Sequence, residues 1–191
     1  PLGSDNAYYL DTGWVSSDST IELPKSSSIW IADKNTIGVN EPVKLTWTSD
    51  QNITFEKIIT LDENYLFSVD QRVINNSGLS FDLYPYGLSK RQGIPEMQNF
   101  FILHEGPLSI TDGVLEEYDY DDLKDDKKIK HSSVGGWIGM TDKYWQTAII
   151  PNQNEPVQQT YSYSFVDNID NFQTDIVGER IAISNNASIS H

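Results

Sequence analysis

The chain has 191 residues, of which 38% are hydrophobic and 12% aromatic, a composition typical of one folded domain rather than a disordered chain. Its formal net charge of -15 disfavours nucleic acid and anionic lipid as partners and favours a basic protein surface. The absence of cysteine excludes disulfides, thiolate metal sites and cysteine nucleophiles. No stretch approaches the roughly 20 apolar residues of a membrane-spanning helix.

The N-terminal part of the chain carries weak structural signals. Residues 1–4, with the sequence Pro-Leu-Gly-Ser, are interpreted as a cloning scar and left out of the fold. Residues 5–40 are expected to form an N-terminal arm with the first strands. Trp14 and Trp30 indicate that this arm packs against the rest of the domain.

Residues 41–184 are expected to form the core of the domain. Apolar and polar residues alternate within them, which is typical of strands with one face in a core; the clearest stretches are 43–48, 65–73, 79–84 and 161–166. Asp112-Gly113, between two apolar stretches, predicts a hairpin turn. The pattern predicts an all-β sandwich or barrel with little helix, followed by a frayed tail over residues 185–191.

The densest cluster of glycines and aromatic residues lies at 135–145, which contains three glycines, two tryptophans and one tyrosine. Glycines at this density indicate a backbone bend or a close approach, and Trp137 and Trp145 can pack around it. We therefore expect both tryptophans to be mostly buried, with Asp142 and Lys143 facing solvent or each other. The alternative is an exposed aromatic groove that binds sugar or extended peptide. The residues of this structural motif are Gly135, Gly136, Trp137, Tyr144 and Trp145.

Eight acidic residues lie between positions 112 and 126. A calcium loop starting at Asp119 would place Lys124 where glycine is needed and Lys130 where a bidentate glutamate is needed. We therefore expect no metal site here, but a mobile, exposed loop that could meet a basic partner. The candidate partner contacts are Tyr118, Asp119, Tyr120, Asp121 and Asp122.

The sequence offers no clear catalytic residues and calls for no cofactor. His104 and Glu105 would point to opposite faces of a strand, and His131 and His191 lie in polar surroundings. Acid–base chemistry needs paired titratable groups, so we expect no enzymatic activity.

Four segments together resemble one known family. They are Gly106-Pro107-Leu108, residues 112–123, residues 135–145 and Ala148-Ile149-Ile150-Pro151. In order and spacing they are similar to the large periplasmic domain of the YidC membrane-protein insertase family. The block from Gly135 to Trp145 is the specific part, and the resemblance covers residues 40–183.

The resemblance implies a β-supersandwich similar to galactose-mutarotase-type sugar epimerases. It also implies a location on the periplasmic side of the bacterial inner membrane, as part of a multi-spanning protein. The implied role is accessory and non-catalytic, with accessory subunits of the Sec translocon and nascent membrane proteins as partners and no nucleic acid. We expect the isolated domain to be a monomer.

Two other functions remain open at this point. One is a carbohydrate-binding or aldose-epimerase-like module on the same fold, for which His104 or His131 would be the acid–base candidate besides carboxylates. The other is a secreted, adhesin-like sandwich.

Overall fold

The computed structural model describes residues 7–94, 104–143 and 145–191, and within these residues almost all regular structure is strand. This confirms the prediction of an all-β fold with little helix. The only helix of the described residues is α1 (Tyr120–Asp126), and it is too short to cross a membrane. The strands are β1 (Tyr8–Val15), β2 (Ile31–Ala32), β3 (Val43–Thr48), β4 (Ile53–Leu61), β5 (Phe67–Asn75), β6 (Phe81–Gln92), β7 (Gly106–Thr111), β8 (Val114–Glu117), β9 (Lys128–Val134), β10 (Trp137–Asp142), β11 (Trp145–Ile149), β12 (Pro156–Val166), β13 (Ile169–Gly178), β14 (Ile181–Ile183) and β15 (Ala187–Ser190).

The chain forms two compact units. The first unit takes Pro1–Thr12 and Tyr86–Glu179, and the second takes Gly13–Pro85 and Arg180–His191. Strand β6 contributes residues to both units, because the boundary falls between Pro85 and Tyr86.

The second unit is built on an antiparallel sheet with the order β15-β5-β4-β3-β2. The alternation predicted for 43–48 is present, and it gives the sheet one apolar and one polar face. On the polar face Glu56 pairs with Lys44 at 3.2 Å and with Arg72 at 3.8 Å. The buried residues of this unit's core are Trp14, Ile21, Ile53, Phe55, Val73, Phe81, Leu83 and Ile183.

The arm and the tail of the chain are both part of the second unit. Trp14 is buried and Trp30 is partly buried against the core, as the sequence predicted. Residues 185–191, by contrast, were expected to fray, yet β15 pairs with β5 along residues 187–190. Ile189 also packs against the core, which explains the order of a segment whose other residues are small and polar.

The first unit is a sandwich of two antiparallel sheets. One sheet has the order β1-β6-β13-β12-β9, and the other has the order β11-β10-β7-β8. The predicted turn at Asp112-Gly113 joins β7 to β8, with both residues at positive φ. The buried core residues come from both sheets and from α1, and they are Tyr120, Leu123, Ile138, Met140, Val157, Tyr161, Phe172 and Ile176.

Gly136 is a position where only glycine fits. Its φ is +75°, and a Cβ there would overlap the backbone carbonyl oxygen of Ile110 on β7. Gly113 has a similar φ of +84°, but a Cβ there would meet no atom within 4 Å. A substitution at Gly113 therefore tests backbone conformation alone, whereas the same substitution at Gly136 tests conformation and close packing together.

Gly136→Ala is expected to destabilise the protein more than Gly113→Ala. The left-handed conformation costs either alanine about 1–2 kcal/mol. The overlap with Ile110 should add about 1–3 kcal/mol at position 136 alone. Urea unfolding of both variants measures the difference, and equal losses would mean that the bend before β10 does not approach β7 this closely.

Candidate functional site

The glycine–tryptophan motif begins with the predicted bend between β9 and β10. Gly135 and Gly136 both have positive φ, and the Gly135 N–H donates to the carbonyl oxygen of Glu155 at 3.0 Å. The Gln153 side chain closes the bend from both sides. Its Oε1 accepts from the Gly136 N–H at 3.1 Å, and its Nε2 donates to the Gly136 carbonyl oxygen at 2.9 Å. A glutamine from the β11–β12 loop, rather than a tryptophan, therefore fixes the bend.

The tryptophans of the motif are less buried than expected. Trp137 is half-buried and Trp145 is 40% exposed, so the prediction that both are mostly buried is wrong for Trp145. Trp145 starts β11, an edge strand of its sheet, so that one flank of the strand has no neighbour in the sheet. Its ring packs edge-on against Tyr8, with 4.2 Å between ring centroids. Tyr144, also assigned to the motif, lies outside the described residues.

Asp142 is buried, whereas the sequence analysis expected it to face solvent or Lys143. It occupies the core side of β10, the side that also carries Ile138 and Met140. Its Oδ2 accepts from Nη1 of Arg91, and its Oδ1 accepts from the Tyr120 hydroxyl at 3.0 Å. Burial raises the pKa of the Asp142 carboxyl, while the Arg91 guanidinium and the Tyr120 hydrogen bond oppose the rise.

The acidic segment forms a helix, so the prediction of a mobile, exposed loop is wrong for Tyr120–Asp126. Tyr120 and Leu123, three residues apart on one helical face, are fully buried. The Tyr120 ring packs on Phe172 with 4.6 Å between centroids. Asp122 Oδ2 accepts from the backbone N–H of Asp119, which satisfies a donor at the start of the helix. An aspartate before a Tyr-x-x-Leu spacing was the sequence signal for this helix.

The proposed partner contacts differ in accessibility. Asp119, Asp121 and Asp122 are exposed, Tyr118 is half-buried, and Tyr120 is withdrawn into the core. The outward side of α1 is therefore an acidic surface held in place by the inward side. Acidic residues in its first turn also suit the positive end of the helix dipole.

A cluster of two tyrosines and a histidine was not found from the sequence. The Tyr118 hydroxyl and His131 Nε2 are 2.8 Å apart, and the Tyr118 and Tyr161 ring centroids are 4.8 Å apart. His131 lies on β9, which pairs with β12, and its ring contacts those of both tyrosines, whereas we expected polar surroundings. The partners are far apart in sequence, and alternation alone does not reveal such pairs.

The other candidate histidine has separate partners. His104 Nε2 is 3.2 Å from the Pro107 carbonyl oxygen, and its Nδ1 is 3.6 Å from Asp119 Oδ1. Across residues 7–94, 104–143 and 145–191 there is no group of three or more His, Asp or Glu side chains arranged to hold a metal ion.

Comparisons with a family model and with individual proteins point to the same family. A family model described as the YidC periplasmic domain matches residues 2–191. The membrane protein insertase YidC of Pelagibacter ubique (strain HTCC1062) is 40% identical over 164 residues, which are 85% of this chain and 29% of that protein. The proteins of the same name from Rickettsia bellii (strain OSU 85-389) and Rickettsia canadensis (strain McKiel) are 37% and 38% identical over 178 residues. Those alignments cover 93% of this chain and 32% of each relative, so the chain spans about a third of the relatives' length.

Removing the charge of Asp142 should destabilise the protein strongly. In Asp142→Ala the buried Arg91 charge loses its partner, at an expected cost of about 3–5 kcal/mol. The matched control is Arg180→Ala, because Arg180 pairs with Asp82 at 3.0 Å while 62% exposed, and this pair should contribute less than about 1 kcal/mol.

The double variant Arg91→Met/Asp142→Leu should recover part of the loss, because it leaves no unpaired buried charge but removes the acceptor of the buried Tyr120 hydroxyl. The urea unfolding midpoints of Asp142→Ala, Arg180→Ala and the double variant are compared with that of the unchanged protein. A loss in Asp142→Ala no larger than that in Arg180→Ala would contradict the buried pair.

Stability should also fall at alkaline pH. Burial raises the pKa of Tyr120 and of Tyr161 above the usual value of 10.0, and the Asp142 charge raises that of Tyr120 further. Between the unfolded and folded pKa values the folded chain holds protons that the unfolded chain has lost. The stabilisation is therefore complete below about pH 10 and is lost as the pH rises through the folded pKa values.

Tyr120 and Tyr161 should therefore ionise only when the protein unfolds. In an alkaline titration, their phenolate absorbance should rise at the same pH at which the folded structure is lost. Tyr161→Phe is the control, because it removes one of the two buried hydroxyls that titrate and keeps the buried ring. It should flatten the alkaline loss of stability and leave stability near neutral pH almost unchanged. Ionisation of Tyr161 before unfolding would contradict its burial.

Proposed function

We propose that this chain, which belongs to the YidC periplasmic domain family, is an accessory domain of an inner-membrane protein insertase on the periplasmic side of the membrane. It assists membrane-protein insertion through protein contacts, as one part of a multi-spanning protein, and has no catalysis of its own. The observation that carries the proposal is the match of the family model to residues 2–191.

The acidic side of α1 is the surface that best suits this role. Asp119, Asp121 and Asp122 are exposed on an element that Tyr120 and Leu123 anchor in the core. A fixed array of carboxylates loses less conformational entropy on binding than a mobile loop would. Its proposed partners are basic surfaces of accessory subunits of the Sec translocon and nascent membrane proteins, which the net charge of -15 would attract.

The surroundings of the histidines support a non-catalytic role. His131 Nε2 is engaged by the Tyr118 hydroxyl, and His104 Nε2 by the Pro107 carbonyl oxygen. A general acid and base for sugar epimerisation would need free ring nitrogens facing one pocket. The two rings have different partners within the chain, so the contacts of the described residues do not pair them as an acid and a base.

Photo-cross-linking in the full-length insertase tests the partner surface. A photoreactive residue replaces Asp121 in one variant and Asp50, an exposed acidic residue of the second unit, in the control. We expect translocon accessory subunits or nascent chains to cross-link at position 121 and not at position 50. Changing Asp119 and Asp122 to Asn should weaken this cross-linking and lower the melting temperature only slightly, because both side chains are exposed and asparagine can also accept the hydrogen bonds that cap α1.

Two results would contradict the proposal. One is equal cross-linking at positions 121 and 50, which would remove α1 as a specific contact. The other is aldose anomerisation by the isolated chain that His131→Ala abolishes, which would favour the epimerase-like alternative.

A further inference from the structure

The second unit carries an apolar groove of about 570 Å³ on its five-stranded sheet. The sheet supplies its floor through Val43, Leu45, Ile59 and Phe67. The end of β2 and the chain that follows it supply a wall, through Ala32, Lys34, Asn35, Thr36 and Ile37. The volume lies within the range of about 300–1,000 Å³ that is typical of ligand sites.

The groove exists because the apolar face of the sheet is longer than the core that covers it. At one end of that face Trp47, Phe55 and Val73 are in register and pack into the core. At the other end Val43 is opposite Ile59. Strand alternation places both residues on the same face, and neither belongs to the core cluster, although Val43 is itself buried beneath the groove.

The margin of the groove exposes further large apolar side chains. Phe67 is 58% exposed, and the neighbouring Leu66 and Tyr65 are 54% and 81% exposed. Tyr65 has a φ of +63°, a conformation that is costly for a bulky residue. Asp62 holds this turn, because its Oδ1 accepts from the backbone N–H groups of Asn64 and Leu66 at 2.8 Å each. The turn therefore presents its apolar side chains in a fixed geometry.

We propose that this groove binds an extended peptide segment whose apolar side chains are flanked by basic residues. Apolar side chains of the peptide would enter between the 32–37 wall and Phe67. The groove would hold such a peptide whether or not the domain assists membrane-protein insertion.

The charges around the groove favour basic flanks on the peptide. Asp33 precedes the lining residue Lys34, Glu41 pairs with Gly38 at the end of the wall, and Glu63 follows β4. These three acidic residues are exposed, and they outnumber the two lysines at the groove, which are Lys34 in the lining and Lys57 opposite Leu45. Like the whole chain, the surroundings of the groove are net negative.

Other occupants fit less well. A bilayer surface is flat and cannot fill a concave groove, and acidic residues repel anionic headgroups. A second copy of the chain would bring another charge of -15 to the same surface. A sugar site needs several converging polar groups, whereas six of the nine lining residues are apolar.

Fluorescence anisotropy with the isolated chain tests the proposal. The probe is a labelled peptide of alternating leucine and threonine with lysines at both ends. Matched peptides carry glutamates at the ends, or serine in place of leucine. We expect binding of the lysine-flanked leucine peptide that weakens with salt, and weaker binding of both matched peptides.

Phe67→Ser is the diagnostic variant, and Phe165→Ser is its matched control. Phe165 lies on β12 in the first unit and is 59% exposed, almost the same as Phe67. We expect Phe67→Ser to weaken peptide binding by about tenfold and Phe165→Ser to leave it unchanged. Both exposed positions should tolerate serine with little change in melting temperature.

A second measurement locates the peptide. The chain has no cysteine, so Thr36→Cys gives a single thiol in the groove wall for an environment-sensitive fluorophore. The leucine peptide should shift its emission to the blue, and a label at Ser164→Cys should not respond.

Four outcomes would overturn the proposal. They are equal effects of Phe67→Ser and Phe165→Ser, equal binding of the serine peptide, binding of phosphatidylcholine vesicles in place of the peptide, and self-association that Phe67→Ser abolishes. The last two would assign the surface to a bilayer or to a second copy. None of them concerns α1, so cross-linking at Asp121 remains a separate test of the accessory role.

Discussion

The buried contact of Asp142 with Arg91 and Tyr120 is the constraint on which the first unit depends. It joins β10, β6 and α1, which belong to different sheets or to none. Each charge is costly to desolvate alone, so the three groups are favourable only together. The contact therefore fixes the orientation of α1 as well as its attachment, and through it the direction in which Asp119, Asp121 and Asp122 face. A polar interaction inside the core thus determines the proposed partner surface outside it.

Local signals in the sequence predicted much of the framework. The alternation at 43–48, the hairpin turn at Asp112-Gly113 and the bend at Gly135-Gly136 depend on neighbouring residues, and all three are present. The specific block of glycines and aromatics also led to the correct family. In each case the responsible residues lie within a few positions of one another, so no tertiary information was needed.

The errors share a physical cause, which is that the decisive partner is distant in sequence. Asp142 looked like a surface charge because Arg91 lies 51 positions away. The strand over residues 187–190 could not be predicted from its small polar residues, because β5 supplies its pairing. The short helix is an exception. Its signal, Tyr120 and Leu123 three residues apart, was local. We nevertheless expected a solvated loop, because most of the surrounding residues are charged.

The two proposed surfaces differ in what they can contribute to binding. Exposed carboxylates on α1 act over about a Debye length, so they mainly raise the rate of encounter with a basic partner. The groove in the second unit has few charges in its lining and several large apolar side chains, which mainly lower the rate of dissociation. A chain with apolar segments and basic flanks meets both requirements, and such a chain needs neither a catalytic group nor a cofactor to be held. The distribution of charge and apolar surface in this protein is therefore consistent with a domain that captures polypeptide.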